Sequence, residues 1–169
     1  SIGQLAPVFN TDRMVREYCE TFYMKAKSHF ERLSTDHFSL ANRLAEWKVN
    51  VLRNWHKISI ESVQVDADSS TLFKTGRDLP VKAIVNLDSL TPADVIVELF
   101  AGVLDEVREI KDGKAVKLTL ESDLGHGQYL YSGSYRCENT GRHGLGVRVI
   151  PFHEDLTTKY EMALIIWAV

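Results

Sequence analysis

Apolar residues recur every three or four positions near the start of the chain. From about Asn10 onward they form a broad stripe along one face of a helix. Its members are Met14, Tyr18, Phe22, Ala26 and Phe30, with Val15, Cys19, Tyr23 and Leu33 beside them. Asn10 or Thr11 can cap the start, because either side-chain oxygen can accept a backbone N–H. The pattern predicts an amphipathic helix from Thr11 to about Leu33.

A second helical pattern follows a short polar interruption. Ser34, Thr35 and Asp36 break the first stripe and can start a new helix. The residues that share the new apolar face are Leu40, Leu44, Trp47, Val51 and Trp55. We therefore predict a helical hairpin, two amphipathic helices joined by a tight turn, over residues 1–57.

Beyond Lys57 the apolar period changes from helical spacing to alternation. Alternating apolar residues predict strands around 81–87 and 116–120, and Asp112-Gly113 before the second strand predicts a hairpin turn. The apolar parity switches between Ile60 and Val63, which predicts a β-bulge near Glu61 or Ser62.

Other segments complete the strand pattern. In "DVIVELFAG" both parities are apolar, which predicts a strand that is covered on both faces or lies deep in the sandwich. Further strands are expected at 128–137, 145–152 and 161–168, with Trp167 in the last. Seven or so short strands without intervening helices predict an antiparallel immunoglobulin-like β-sandwich over residues 58–169. The expected fold class is α+β.

Composition and charge exclude several classes of function. A net charge of −3 with dispersed basic residues leaves no electrostatic footprint for nucleic acid. No apolar run is long enough to span a bilayer, so no membrane partner is expected. Two cysteines, Cys19 and Cys137, do not form a disulfide framework and fit a reducing compartment, so we expect a cytoplasmic protein.

The stretch "ENTGRHGLGVRVIPFHEDL" raises the question of a reactive site. Its glycines, at 141, 144 and 146, match neither phosphate-loop spacing, and strand-forming residues follow where such a loop needs a helix. This stretch is therefore expected to be a turn followed by a strand. The alternative of a metal site from His126, His143 and His153 is weaker than that of surface histidines, and the same holds for acid/base chemistry at 153–155. We expect no catalytic, cofactor or metal residues in this chain.

Three tyrosines are the more informative candidates for binding. Tyr129, Tyr131 and Tyr135 share a parity in "QYLYSGSYRC", with Gly133 between them. Such a row could stack on sugar rings, because each tyrosine presents a flat apolar face and a polar tip. Packing in the core or between domains is the favoured interpretation, with carbohydrate contact as the alternative.

Several segments together resemble a known enzyme family. "FNTDRMVREYCETFY" is similar to the helix that closes the second nucleotide-binding-like domain of α-glucan (glycogen/maltodextrin) phosphorylases. "VIVELFAGVLDE", "GRHGLGVRVIPFHEDL" and "EMALIIWA" resemble the carboxyl-terminal extension of the distant bacterial and archaeal branch. These segments cover most of the chain, which opens without a methionine.

The resemblance implies a pyridoxal-phosphate enzyme that cleaves α-1,4-glucan with phosphate to release glucose 1-phosphate. The cofactor lysine and phosphate loop of that family would lie upstream of residue 1, so pyridoxal phosphate is expected only in the full-length enzyme. This chain would contribute a scaffold, and part of its helical stripe would pack against the upstream catalytic domains. The expected packing residues are Arg13, Met14, Tyr18, Phe22, Tyr23 and Phe30.

An uncovered apolar stripe leads to one further expectation, and one alternative function remains. The isolated chain should self-associate, because an exposed apolar patch favours contact between copies. The alternative hypothesis is a free-standing β-sandwich that binds carbohydrate or another partner and uses the helical hairpin for oligomerisation.

Overall fold

The computed structural model describes residues 10–65, 76, 78–107, 109–138 and 142–168. The chain divides into two units, residues 1–47 and 48–169. The first unit is helical, and the second contains the end of the long helix and all the strands. The predicted domain boundary at 57/58 remains a prediction.

The helical region begins at the predicted cap. The Asn10 side chain accepts a hydrogen bond from the backbone N–H of Arg13 at 2.6 Å, which satisfies one of the free donors of the first turn. Helix α1 spans Thr11–Tyr18, a π-helical segment spans Cys19–Tyr23, and helix α2 spans Met24–Asn54. The sequence pattern did not predict the wider π-helical turn.

Helix α2 is interrupted where the polar residues predicted a break. Thr35 is extended, and Asp36, His37 and Phe38 have positive φ angles of 48°, 51° and 62°. The Thr35 hydroxyl donates to the backbone carbonyl of Arg32 at 2.7 Å. Such side-chain bonds compete with the helical ladder, which explains why the helix stops here. The region is thus two helical segments that meet at this break.

The described residues after the helices form eight strands in chain order. They are β1 (Ser59–Val65), β2 (Asp78–Asn86), β3 (Val95–Leu104), β4 (Ile110–Lys117), β5 (Thr119–Gly125), β6 (Gln128–Arg136), β7 (His143–Pro151) and β8 (Ile166–Trp167). They form two antiparallel sheets with the orders β1-β2-β6-β5 and β4-β3-β7-β8. The predicted α+β class, with helices followed by an antiparallel β-sandwich, is confirmed.

The core of the sandwich follows the predicted alternation. In β2, Leu79, Val81, Ala83 and Val85 are buried, while the residues between them are more exposed. β3 differs, because Val95, Val97, Leu99 and Ala101 are buried and so are Glu98 and Gly102 at the other parity, in agreement with the prediction from its two apolar parities. The β1 bulge is also where parity predicted it, because the register between β1 and β2 shifts between Ile60 and Ser62.

The chain changes sheets at Leu118, between β4 and β5. The sequence predicted one strand running through 116–120, and that prediction is wrong, because β4 pairs in one sheet and β5 in the other. Leu118 is only 1% exposed. A Cβ at Gly133 would lie 2.6 Å from Cδ2 of Leu118, so the absence of a side chain at Gly133 makes room for this buried crossing.

The predicted hairpin turn at Asp112-Gly113 is also wrong. Both residues lie inside β4, where the register with β3 shifts opposite Gly102, and Asp112 has a φ angle of 50°. The pair therefore forms a β-bulge. The turn lies earlier in the chain, where one oxygen of Asp105 accepts from the backbone N–H groups of Val107 and Glu109 at 3.0 and 2.9 Å.

The last strand is much shorter than the predicted 161–168. In the part of the chain that the structure describes, strand β8 covers Ile166 and Trp167, which pair with β7, and the backbone N–H of Ala168 donates to the carbonyl of Val147 at 2.9 Å. Turns precede β8, and Ala163 has a positive φ angle of 52° that interrupts an extended chain. Among the described residues, no helix is both long and apolar enough to cross a bilayer.

Candidate functional site

A buried ion pair lies on the outward face of the sheet β4-β3-β7-β8. Glu98 of β3 and Arg148 of β7 are directly opposite in the strand register. Nε and Nη2 of Arg148 donate to one carboxylate oxygen of Glu98 at 2.9 and 2.7 Å. Each side chain is 7% exposed. Both strands have apolar neighbours on either side of the charged residue, so the charges compensate each other inside an apolar layer.

Residues from the C-terminal segment complete this pair. Nζ of Lys159 donates to the second carboxylate oxygen of Glu98 at 2.7 Å. Nη2 of Arg148 also donates to the hydroxyl of Tyr160 at 3.0 Å. We call Glu98, Arg148, Lys159 and Tyr160 the anchor cluster. It attaches the segment after β7 to the sheet through charge-assisted hydrogen bonds.

The anchor cluster shifts the pKa of its own members. Burial alone would raise the pKa of Glu98, but hydrogen bonds from Lys159 and Arg148, with their positive charges, hold that pKa below its ordinary value. The same hydrogen bond to Glu98 raises the pKa of Lys159. Both groups therefore remain ionised around neutral pH.

Three aromatic rings surround the Arg148 guanidinium. Its central carbon lies 4.8 Å from the ring centroid of Phe100, 5.3 Å from that of Trp167 and 5.8 Å from that of Tyr160. Phe100 and Trp167 meet edge to face with their centroids 5.9 Å apart. A Cβ at Gly146 would lie 3.2 Å from a ring atom of Trp167. This part of the glycine-rich stretch is a strand, as predicted. Because Gly146 has no side chain, the Trp167 ring can pack directly against the backbone of that strand.

The cluster orients side chains and does not provide reactive groups. Arg148 and Lys159 are both hydrogen-bonded to one carboxylate, which leaves the cluster without a poised general base or nucleophile. Its effect is to hold Tyr160 and Trp167 in fixed orientations, although these rings are 49% and 40% exposed. The outward face of the sheet thus displays two oriented aromatic side chains.

Sequence reasoning missed the anchor cluster. Glu98 interrupts the apolar run "VIVELFAG", and Arg148 interrupts "VRVIP". A charge within a strand covered on both faces is a signal for a buried partner. The partner itself is 50 positions away, so only the register of β3 against β7 identifies it.

The residues of the predicted packing stripe are exposed. The exposed fractions are 52% for Met14, 51% for Tyr18, 58% for Phe22 and 64% for both Tyr23 and Phe30. Arg13 pairs with Glu17 at 3.5 Å on the surface of α1. Tyr18 and Phe22 contact each other with their ring centroids 5.7 Å apart. The helices therefore present a large apolar surface, and its partner stays a prediction.

The tyrosine row faces the interior of the sandwich. Tyr131 and Tyr135 are 4% and 8% exposed, and Tyr129 is half-buried. Tyr131 pairs with Ala83 and Tyr135 with Leu79, both of which belong to the core of β2. The Tyr135 hydroxyl lies 3.3 Å from Nδ1 of His143. Tyr135 also lines a cleft of about 390 Å³, and the packing role of the row stays a prediction.

The histidines do not converge. Within the described ranges, no three His, Cys, Asp or Glu side chains are grouped closely enough to hold a metal ion. His126 has a positive φ angle at the turn between β5 and β6, His143 contacts Tyr135, and His153 contacts Asp155 at 3.5 Å.

Lys159 and Lys114 do not fit a pyridoxal phosphate site. A Schiff base requires a lysine amine that can lose its proton. The carboxylate of Glu98 raises the pKa of Lys159, and that of Glu138 raises the pKa of Lys114. Both amines are thereby held in the protonated form, which opposes imine formation.

Comparison with known proteins assigns a family. The family model of the glycogen phosphorylase C-terminal domain matches residues 55–169. Maltodextrin phosphorylase of Thermococcus litoralis is 36% identical over 174 residues and covers 99% of this chain. The glycogen phosphorylases of Mycobacterium bovis and Mycobacterium tuberculosis are each 32% identical over 169 residues and cover 98% of it. The chain spans 19% of the length of each of these relatives.

Proposed function

The chain belongs to the glycogen phosphorylase C-terminal domain family, and from this premise we propose that it is the non-catalytic C-terminal region of an α-glucan phosphorylase. The whole enzyme would cleave α-1,4-glucan with inorganic phosphate and release glucose 1-phosphate. The 169-residue chain would act as a scaffold that packs against the upstream catalytic domains.

The exposed helical stripe carries this proposal. At least five large apolar side chains along α1, the π-helical segment and α2 are more than half exposed: Met14, Tyr18, Phe22, Tyr23 and Phe30. Covering one such side chain contributes about 1.5–3 kcal/mol, so an uncovered row of this size favours a partner surface. The relatives match 98–99% of this chain within proteins about five times its length, which favours a partner in the same polypeptide over a free-standing module.

Pyridoxal phosphate would be held by the upstream domains. Lys159 and Lys114, being ion-paired and protonated, are unsuited to form its Schiff base. The cofactor would supply acid–base chemistry at the phosphate in those domains. The free thiols of Cys19 and Cys137 are in keeping with the cytoplasm as the compartment of the enzyme.

A paired set of substitutions in the full-length enzyme tests the docking role. Phe22→Ser and Phe30→Ser together should lower the thermal midpoint and reduce phosphorolysis, because each removes apolar surface from the interface. Val107→Ser is the matched control, since Val107 is 74% exposed in the turn between β3 and β4. If the double variant matched the control in both measurements, the stripe would not be an interdomain surface and the proposal would fail.

A further inference from the structure

The anchor cluster holds two half-exposed aromatic rings at the surface of the sheet. Tyr160 and Trp167 are 49% and 40% exposed, whereas Glu98 and Arg148 beneath them are almost fully buried. Both ring centroids lie within contact distance of the same guanidinium, at 5.8 and 5.3 Å. The two rings are therefore linked through one guanidinium, and we call them together the aromatic platform.

The aromatic platform is ordered before any ligand arrives. Arg148 is fixed by two hydrogen bonds to Glu98 and donates a third to the Tyr160 hydroxyl. Trp167 is positioned by its strand pairing with β7 and by its edge contact with Phe100. Because the two rings are already held in place, their side chains lose little conformational entropy when a ligand stacks on them. This favours affinity at an exposed surface.

The charged groups of the cluster are engaged with one another. Nε and Nη2 of Arg148, whose side chain is 7% exposed, donate to Glu98 and Tyr160, so this guanidinium is poorly placed to bind a phosphate. The ammonium of Lys159 is hydrogen-bonded to Glu98 and lies 5.1 Å from the ring centroid of Tyr160. Aromatic faces with polar tips suit molecules that combine apolar C–H surface with hydroxyl groups. A neutral sugar chain has this composition, whereas a nucleic acid or a phosphorylated peptide requires unpaired cations.

We infer that the aromatic platform of Tyr160 and Trp167 is a binding site for an α-1,4-glucan chain. The ligand class rests on the proposed function, because the relatives are named for maltodextrin and glycogen. The site also relocates the carbohydrate-binding role from the tyrosine row, whose Tyr131 and Tyr135 face the core.

Binding of a linear α-1,4-linked glucose heptamer to the 169-residue chain tests the inference. Saturable binding is expected, and Trp167→Ala or Tyr160→Ala should weaken it at least ten-fold, about 1.4 kcal/mol. Leu124→Ala is the control, because Leu124 is 47% exposed in β5 and belongs neither to the aromatic platform nor to the helical stripe, and it should bind like the parent chain. A β-1,4-linked glucose oligomer of equal length should bind more weakly. Absence of saturable binding, or equal affinity in all variants, would overturn the inference.

Indole resonances provide a readout if an alanine variant fails to fold. On titration of the unsubstituted chain with the heptamer, the Trp167 indole N–H signal should shift, while those of Trp47 and Trp55 should not. A Trp167 signal that stays in place would overturn the inference. A second result would also overturn it: the chain binds no heptamer, and Tyr160→Ala lowers the thermal midpoint of the full-length enzyme. That combination would assign the aromatic platform to a contact with another protein surface. Neither result bears on the docking role of the helical stripe, which the Phe22 and Phe30 variants test separately.

Discussion

Arg148 directs two N–H groups, at 2.9 and 2.7 Å, to a single carboxylate oxygen of Glu98 across the β3–β7 ladder. The other oxygen of Glu98 receives Lys159. One carboxylate thus pairs with two cations, and the side chains of Glu98 and Arg148 are each 7% exposed. The stability of this face of the sheet depends on that single negative charge.

Glu98→Gln should therefore be strongly destabilising. The substitution keeps the shape of the side chain but leaves two cations without their counterion, and loss of one partner of a buried pair costs about 3–5 kcal/mol. Urea unfolding followed by circular dichroism measures the change. Glu121→Gln is the control, because Glu121 pairs with Lys82 on the exposed surface at 3.1 Å and exposed ion pairs contribute little to stability. Equal effects of the two variants would refute the anchoring role.

The same carboxylate should make stability depend on pH in acid. The pKa of Glu98 in the folded chain is held below its ordinary value of 4.5, so its contribution is complete above that value and is lost as pH falls through the folded pKa. The pKa of Lys159 is raised above 10.5, and its contribution is lost only as pH rises through that higher value. The difference in unfolding free energy between the parent chain and Glu98→Gln should be constant from about pH 5 to 10 and shrink below pH 4.5. A difference that did not fall in acid would contradict this assignment.

Tyr131→Phe should leave the sandwich as stable as before or more stable. Among the described residues, the Tyr131 hydroxyl has no hydrogen-bond partner although the residue is 4% exposed, and burial raises its pKa to about 12. An unsatisfied buried hydroxyl costs about 1–3 kcal/mol. Tyr135→Phe is the contrasting variant, because it removes the contact of Tyr135 with His143, and it should lose about 1 kcal/mol. Thermal unfolding of both variants gives the comparison, and the prediction fails if Tyr131→Phe is the less stable of the two.

Gly133→Ala should destabilise the chain at its crossing between sheets. The added methyl group would lie 2.6 Å from Cδ2 of Leu118, and overpacking of a well-packed core costs about 1–3 kcal/mol. Leu118→Ala alone should also destabilise, but the double variant should be more stable than the sum of the two losses predicts, because each change relieves the other. Denaturant unfolding of all four proteins measures this coupling. Strict additivity would show that Leu118 does not fill the space at Gly133.

The isolated 169-residue chain should self-associate through its helical stripe. Light scattering over a dilution series should show a mass that falls toward the monomer as the concentration decreases. Phe22→Ser with Phe30→Ser should abolish this dependence without changing the thermal midpoint of the sandwich, since both side chains are exposed. A monomer at every concentration, with helical amides fully protected from hydrogen exchange, would contradict the expectation.

Patterns among residues that are close together in sequence predicted much of the fold. The helical period ending at Leu33 and the polar residues after it located the break that begins at Thr35. The parity switch after Ile60 located the bulge in β1. These features depend on side chains close together in sequence, because caps, breaks and bulges are decided by neighbouring residues. The family resemblance, which the comparisons confirm, likewise rested on contiguous segments.

Errors arose where a local signal competed with a distant contact. Asp112-Gly113 has the composition of a hairpin turn, but pairing with β3 makes it a bulge. The alternation at 116–120 is that of one strand, but Leu118 is buried where the chain changes sheets. In both cases the favourable pairing or burial involves residues many positions away, which outweighs the preference of a short segment.

The sequence by itself determined the two periodicities, and with them the helical region, the strands and the hydrophobic side of most strands. Only the tertiary structure decided that Glu98 meets Arg148, that Lys159 and Tyr160 join them, and that Trp167 lies over Gly146. The physical reason is that alternation specifies which face of a strand is apolar but not which strand lies beside it. Strand pairing is settled by the combined burial and hydrogen bonding of the whole sandwich.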